Sequence, residues 1–184
     1  VDRRQLRAVA PHSAVVITES TLTGSTNGFY LRTALRSPFT ATDSAITATG
    51  NSWAAIIAHE EATDSPFTFV RSSVTASGTT EAIRFLKAVV NSPSTASASA
   101  FRAAGTSAVL YSSTVSSNGI AMTNEFAVIA SGAGATAIQV VGPVVNTDVV
   151  RHTGTLTAAA EWLDLGTPDD SSDVSIDTVA MKKV

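Results

Sequence analysis

Apolar and polar residues alternate in short bursts along this chain, and the bursts recur. Around TLTG, TATG, TASG, RAAG and IASG, ending at Gly24, Gly50, Gly78, Gly105 and Gly132, the position two before the glycine holds Leu22, Ala48, Ala76, Ala103 and Ala130. Four before it stand Ile46, Val74, Phe101 and Val128. A period of two is the mark of a strand with one buried face. The intervening positions then face outward: Thr21 and Thr23, Thr47 and Thr49, Thr75 and Ser77, and in a sixth tag, TLTA, Thr155 and Thr157. The five glycines are spaced by 26, 28, 27 and 27 residues. A second tag keeps the same phase: Ser37-Pro38, Ser65-Pro66 and Ser92-Pro93 each fall 13 residues before a glycine. Proline suits the entry of a strand, where no ladder donor is needed, and Phe39 with Ala41, then Phe67 with Phe69, follow it with inward spacing. Ser94 with Ala96 and Ile120 with Met122 continue that strand less cleanly.

A third segment follows each glycine, at 29–35, 53–58, 82–90, 108–115 and 137–145. EAIRFLKAVV spaces Glu81, Arg84 and Lys87 as an amphipathic helix does, whereas AVLYSSTV and TAIQVV read as strands, so helix and strand both stay open for 82–90. A repeat in the twenties means stacked units that bury a continuous core. The pattern predicts an all-β, right-handed, single-stranded parallel β-helix of about six coils, about 27 residues each and three strands per coil. Residues 13–160 carry the coils. Residues 1–12 are assigned to an N-terminal cap, with DRRQLRAVA as a short helix stopped by Pro11, and 161–184 to a C-terminal cap or partner-binding tail with Trp162 and Leu163 as a plug.

Composition changes the picture in three ways. Charged residues make up only 15% of the 184, and between Ala103 and Thr147 the sole formal charge is Glu125, so the outward face is neutral. The net charge of −3 hides a basic start (Arg3, Arg4, Arg7) and an acidic end (Asp164, Asp169, Asp170, Asp173). No basic stripe with interleaved aromatics occurs, so nucleic-acid binding is excluded. No apolar run reaches a membrane span, which excludes insertion as a helix. With no cysteine there are no disulfides and no thiolate metal sites. The opening on Val1 without a signal peptide predicts a processed or excised piece of a longer chain.

The run Ser72 to Gly78, followed by Glu81-Ala82-Ile83, resembles coils of pertactin-like autotransporter passenger domains, as does AVIASGAG (127–134) followed by Ala137-Ile138. The likeness spans 13–158, and phage tailspikes share the texture. It implies an extracellular or cell-surface rod, or a virion tail part, that displays adhesive surface. Its partners would be a carbohydrate or cell-surface receptor, with homotrimers possible.

Candidate chemistry is thin. Gly132-Ala-Gly134-Ala-Thr-Ala137 fits a dinucleotide fingerprint, but TAIQVVGPVV after it is not helical, so a turn is predicted and no cofactor. Asn146-Thr147-Asp148 followed by Asp169-Asp170 is similar to the carboxylate pattern of polygalacturonases, which would make Asp148, Asp169 and Asp170 the catalytic acids. The Gly-His-Gly and Arg-Ile-Lys that such enzymes carry further on are missing, and Gly-Thr-Pro-Asp-Asp reads as a turn. His12, His59 and His152 have no metal-ligand spacing, so no metal is assigned. The resulting expectation is a non-catalytic adhesive module that binds through Thr21, Thr23, Thr47, Thr49, Thr75 and Ser77, with Trp53, Tyr30 and Tyr111 as stacking residues. A tailspike or fibre component and a polygalacturonase-like enzyme are the alternatives.

Overall fold

The computed structural model describes residues 6–8, 12–51, 54–78, 80–116, 120–122, 126–147, 149–151, 154–158, 160–165, 167–168, 174–176 and 179–183. Every regular element among them is a strand, and every strand pairs in parallel with its counterpart in the neighbouring coil. The chain is therefore a parallel β-solenoid, as the period predicts.

Among the described residues the coils run through four sheets, one more than expected, because the segment after the glycine is split by a bend. A Ser-Pro sheet stacks Val15–Thr18, Phe39–Thr42, Phe67–Val70, Ser94–Ser97 and three further strands. A tag sheet stacks Thr21–Gly24, Ala45–Ala48, Ser73–Ala76, Ala100–Ala103 and three more. An apolar sheet runs from Leu6–Ala8 through Phe29–Leu31, Ile56–Ala58, Ile83–Phe85 and Ser107–Tyr111 to Glu161–Asp164. A fourth sheet of short strands includes Ala34–Leu35, Ala62–Thr63 and Val89–Val90. The 82–90 segment is thus two strands. Ile83 and Phe85 point inward and Arg84 outward, a period of two that overrides the local helical charge spacing.

At both ends the described residues continue the sheets. Leu6–Ala8 is a strand paired with Phe29–Leu31, where a capping helix was expected, since the open edge of the sheet offers its backbone groups partners that a helix would leave unused. The rest of that segment lies outside the described residues. At the other end Glu161–Asp164, Thr167–Pro168, Val174–Ile176 and Val179–Lys183 extend all four sheets, so the coils continue where sequence periodicity had faded.

Tight corners hold the coil shape. Before the Ser-Pro strands, His12, Arg36, Asp64, Asn91 and Asn146 have φ between 45° and 66°; before the tag strands, Glu19, Asp43, Arg71 and Ala98 have φ between 47° and 50°. Each is followed by serine, or by Thr147 after Asn146. The hydroxyl donates to the carbonyl two residues back, as in Ser65 Oγ to Thr63 O at 2.8 Å, and accepts the N–H of the matching serine one coil earlier, as in Ser37 N to Ser65 Oγ at 2.9 Å. The same two bonds recur at Ser44, Ser72, Ser92 and Ser99. Serine is therefore in the repeat because a buried corner needs one group that both donates and accepts. Ser65→Ala is expected to cost about 1–3 kcal/mol, since it strands the buried Ser37 N–H, while the Thr63 carbonyl keeps its bond from Arg36 N–H. Ser20→Ala, whose hydroxyl bond is exposed, should cost clearly less. Equal shifts in urea midpoint would refute the ladder account.

The tag glycine serves close approach. A Cβ on Gly132 would lie 2.3 Å from the Gly105 carbonyl oxygen, and one on Gly78 2.3 Å from that of Gly50. Inside, aromatic rings form a continuous chain: Phe29 meets Phe39, Phe39 meets Phe67 and Phe69, Phe67 meets Phe85, and Phe69 meets Phe101 edge-on, with centroids 5.0 to 5.8 Å apart.

Candidate functional site

The outward faces of the tag and Ser-Pro sheets meet at the corner built on Glu19, Asp43, Arg71 and Ala98. Along that corner runs an open groove of about 550 Å³. Its floor is the outward row Thr21, Ala45, Ser73 and Ala100, stacked in register. These side chains are small because they flank a sharp bend, and their smallness is what makes the depression. On the corner rim, Arg71 holds Asp43 of the preceding coil through both carboxylate oxygens, Nε to Oδ1 at 2.7 Å and Nη2 to Oδ2 at 2.6 Å. That fork holds the Asp43 carboxyl below the usual carboxylate range and raises the guanidinium. Glu19, stacked next to Asp43, has no ion pair among the described residues.

The threonines assigned from sequence fall beside this groove, in a register that differs from the tag alignment. Gly24 pairs with Ala48, and Leu22 with Ile46, two residues off the glycine-to-glycine match. Ala158 likewise pairs with Ala130. Because the slip is two residues, inside and outside are preserved. Thr23, Thr47 and Thr75 form one outward row, continued by Arg102, Ile129 and Thr157. Thr21 stands over Ala45 instead of a threonine, and Thr49 and Ser77 lie exposed just past their strands. A second threonine row, missed in the sequence, lies on the Ser-Pro sheet: Thr40, Thr68 and Thr95, with Thr95 Oγ1 3.3 Å from Thr68 Oγ1. It was visible as the residue after each inward-facing Phe39, Phe67 and Ser94.

The stacking residues separate sharply. Tyr111 is fully buried, its ring stacked on Phe85 at 4.7 Å and 7°, its hydroxyl 3.0 Å from Ser94 Oγ. It cannot meet a ligand, which corrects the sequence reading. Ser94 stands where the neighbouring coil has Phe67, and the smaller side chain makes room for the Tyr111 ring tip. Burial pushes the Tyr111 hydroxyl pKa well up. Tyr30 is half-buried with its ring 5.7 Å from His59. Glu60 accepts from Thr33 and Arg32, and these bonds lower its pKa. Trp53, Asp148, Asp169 and Asp170 lie outside the described residues.

Asn146-Thr147 is placed. It occupies the corner that Asn91-Ser92 occupies two coils earlier, with Asn146 at φ 45° and Thr147 Oγ1 donating to Val145 O at 2.9 Å. Those two residues are thus accounted for by corner geometry. The glycine pair at 132 and 134 leads into the strand Thr136–Val140, so no helix N-terminus faces it and the turn reading holds. Among the described residues no histidine and acid cluster could hold a metal ion, and no helix is long and apolar enough to cross a membrane. No protein-family model, curated protein or solved structure matches this chain.

Proposed function

We propose that this solenoid is a non-catalytic structural and adhesive module, displayed outside the cell or on a virion, that binds carbohydrate along its neutral Ser/Thr face. The observation that carries this reading is the groove of about 550 Å³, of the size small-ligand sites have, floored by small residues, with the outward row Thr23, Thr47 and Thr75 next to that floor on the same sheet. A saccharide presents hydroxyls and apolar ring faces; Thr23, Thr47 and Thr75 offer both hydroxyls and methyls in a stack that repeats every ~4.8 Å. Nucleic acid finds no basic surface along the groove, where Arg71 is the one basic lining residue and is held by Asp43.

The test is a screen of neutral, amino and acidic oligosaccharides by ligand-observed NMR, with the products followed by chromatography. The expected result is weak, saturable binding with no bond cleavage. Binding of none of them would sink the carbohydrate reading. Cleavage that disappears in Asp148→Asn would move the protein to the enzyme alternative.

A fibre or tailspike subunit is the second reading. It is favoured by Val141 and Val145, large apolar side chains exposed at 63% and 38% on one flank with Pro143 between them. Sedimentation would decide it: a mass three times that of the chain supports a trimer, and a concentration-independent monomer removes the reading.

A further inference from the structure

Resting on the carbohydrate reading, we infer that the corner groove selects an amino-bearing oligosaccharide over an acidic one, with Glu19 as the group that receives the ammonium. Three charged side chains line the groove, and two of them cancel. Asp43 and Arg71 are locked to each other by two short bonds. Glu19 is left as the one uncompensated charge on the lining, since it has no partner among the described residues. The groove therefore carries a local negative charge at its first coil.

The other end, at Ala98 and Ala100, carries no charge on its lining; the exposed Arg102 lies on the neighbouring outward row, in register with Thr75. From the coil of Glu19 to that of Ala100 is three coil steps, about 14 Å or the length of about three pyranose rings. A ligand lying along the groove thus meets one uncompensated charge, the Glu19 carboxylate at its first coil. Between the two ends the floor of Ala45 and Ser73 is uncharged, and Arg71 still has its Nη1 donors to offer to sugar hydroxyls. A polyuronate, with a carboxylate on every ring, would place one against Glu19. A hexosamine chain would place an ammonium there. The groove is thus the wrong sign for a polygalacturonate at that end.

The experiment compares β-1,4-linked glucosamine trimer, cellotriose and trigalacturonate, titrated by NMR into the wild-type chain, Glu19→Gln and Ala45→Trp at pH 6 in low salt. The glucosamine trimer should bind about threefold to fivefold more tightly than cellotriose, the range of an exposed ion pair, and trigalacturonate more weakly than either. Glu19→Gln should erase the preference, because the amide keeps the size and the hydrogen-bonding capacity of the side chain and removes only its charge. Ala45→Trp, which fills the floor from outside, should abolish binding of both, and an unchanged thermal melt would show both variants folded. A preference that survives Glu19→Gln, or equal binding of all three sugars, would overturn the selectivity while leaving the carbohydrate reading in place. Binding that survives Ala45→Trp would overturn the groove assignment. If the wild type binds none of these three but binds another glycan of the screen, this inference falls alone; if it binds none in the screen, both fall.

Discussion

Phe67→Ala should lower the stability of this solenoid by about 3–5 kcal/mol, the range for deleting a buried aromatic side chain. Phe67 is fully buried, stacked on Phe39 at 5.8 Å and edge-on to Phe85 at 5.0 Å, so it links the rings of three coils. Each coil contacts only its neighbours, and stability in such a stack is a sum of coil and interface terms. Loss in the middle weakens two interfaces at once. Leu22→Ala, at a partly buried position in the first tag strand, touches one edge only and should cost much less. Denaturant unfolding measures both. If Phe67→Ala costs no more than Leu22→Ala, the aromatic chain is not what joins the coils.

How much of this was legible in the sequence can be argued from the same residues. Phe39 and Phe67 were readable as inward because a period of two needs only their neighbours Thr40 and Thr68. The corner serines were readable as a repeat, but their role was not, because a serine before proline looks like any strand entry. What exposes it is the bond to the serine of the next coil, and that partner lies 24 to 28 residues away.

Register was the harder matter. Aligning TLTG with TATG is natural, yet the structure aligns Thr18-Glu19-Ser20-Thr21-Leu22 with Thr42-Asp43-Ser44-Ala45-Ile46. The corner serine fixes the register through two hydrogen bonds, whereas a strand-end glycine makes none through its side chain. The extra residues of the second coil then go to the bend before Ile56. The two-residue slip kept every face correct, which is why the outward threonines were found and their true neighbours were not. The groove was not legible at all. Glu19, Asp43, Arg71 and Ala98 look unrelated as a column; only the left-handed backbone they share, and the serine after each, marks them as one. Tyr111 failed for a matching reason, since nothing local says that Ser94, 17 residues earlier, leaves space for it inside.

Gly132 and Gly134 separate two reasons for glycine within one short motif. Gly132→Ala would put a Cβ 2.3 Å from the Gly105 carbonyl oxygen and 2.7 Å from that of Ala104, all rigid backbone of the adjacent coil. The coils must move apart there, and overpacking of this kind costs about 3 kcal/mol. Gly134 has open space around its missing Cβ but sits at φ +69°, so Gly134→Ala should cost about 1–2 kcal/mol, the penalty of the left-handed region for an L-residue. Gly134→Asn should recover part of that loss, because asparagine tolerates this conformation, while Gly132→Asn should be worse than Gly132→Ala. Thermal unfolding of the four variants reads this directly. The opposite ordering, with Gly132 tolerant and Gly134 intolerant, would mean that the recurring glycine is kept for its backbone freedom and that the coils are not pressed together at this edge. A dinucleotide-binding turn would be intolerant at both positions and would lose ligand before it lost stability. The spacing of glycines is the same in the two cases, and only the neighbour that the absent side chain would strike tells them apart.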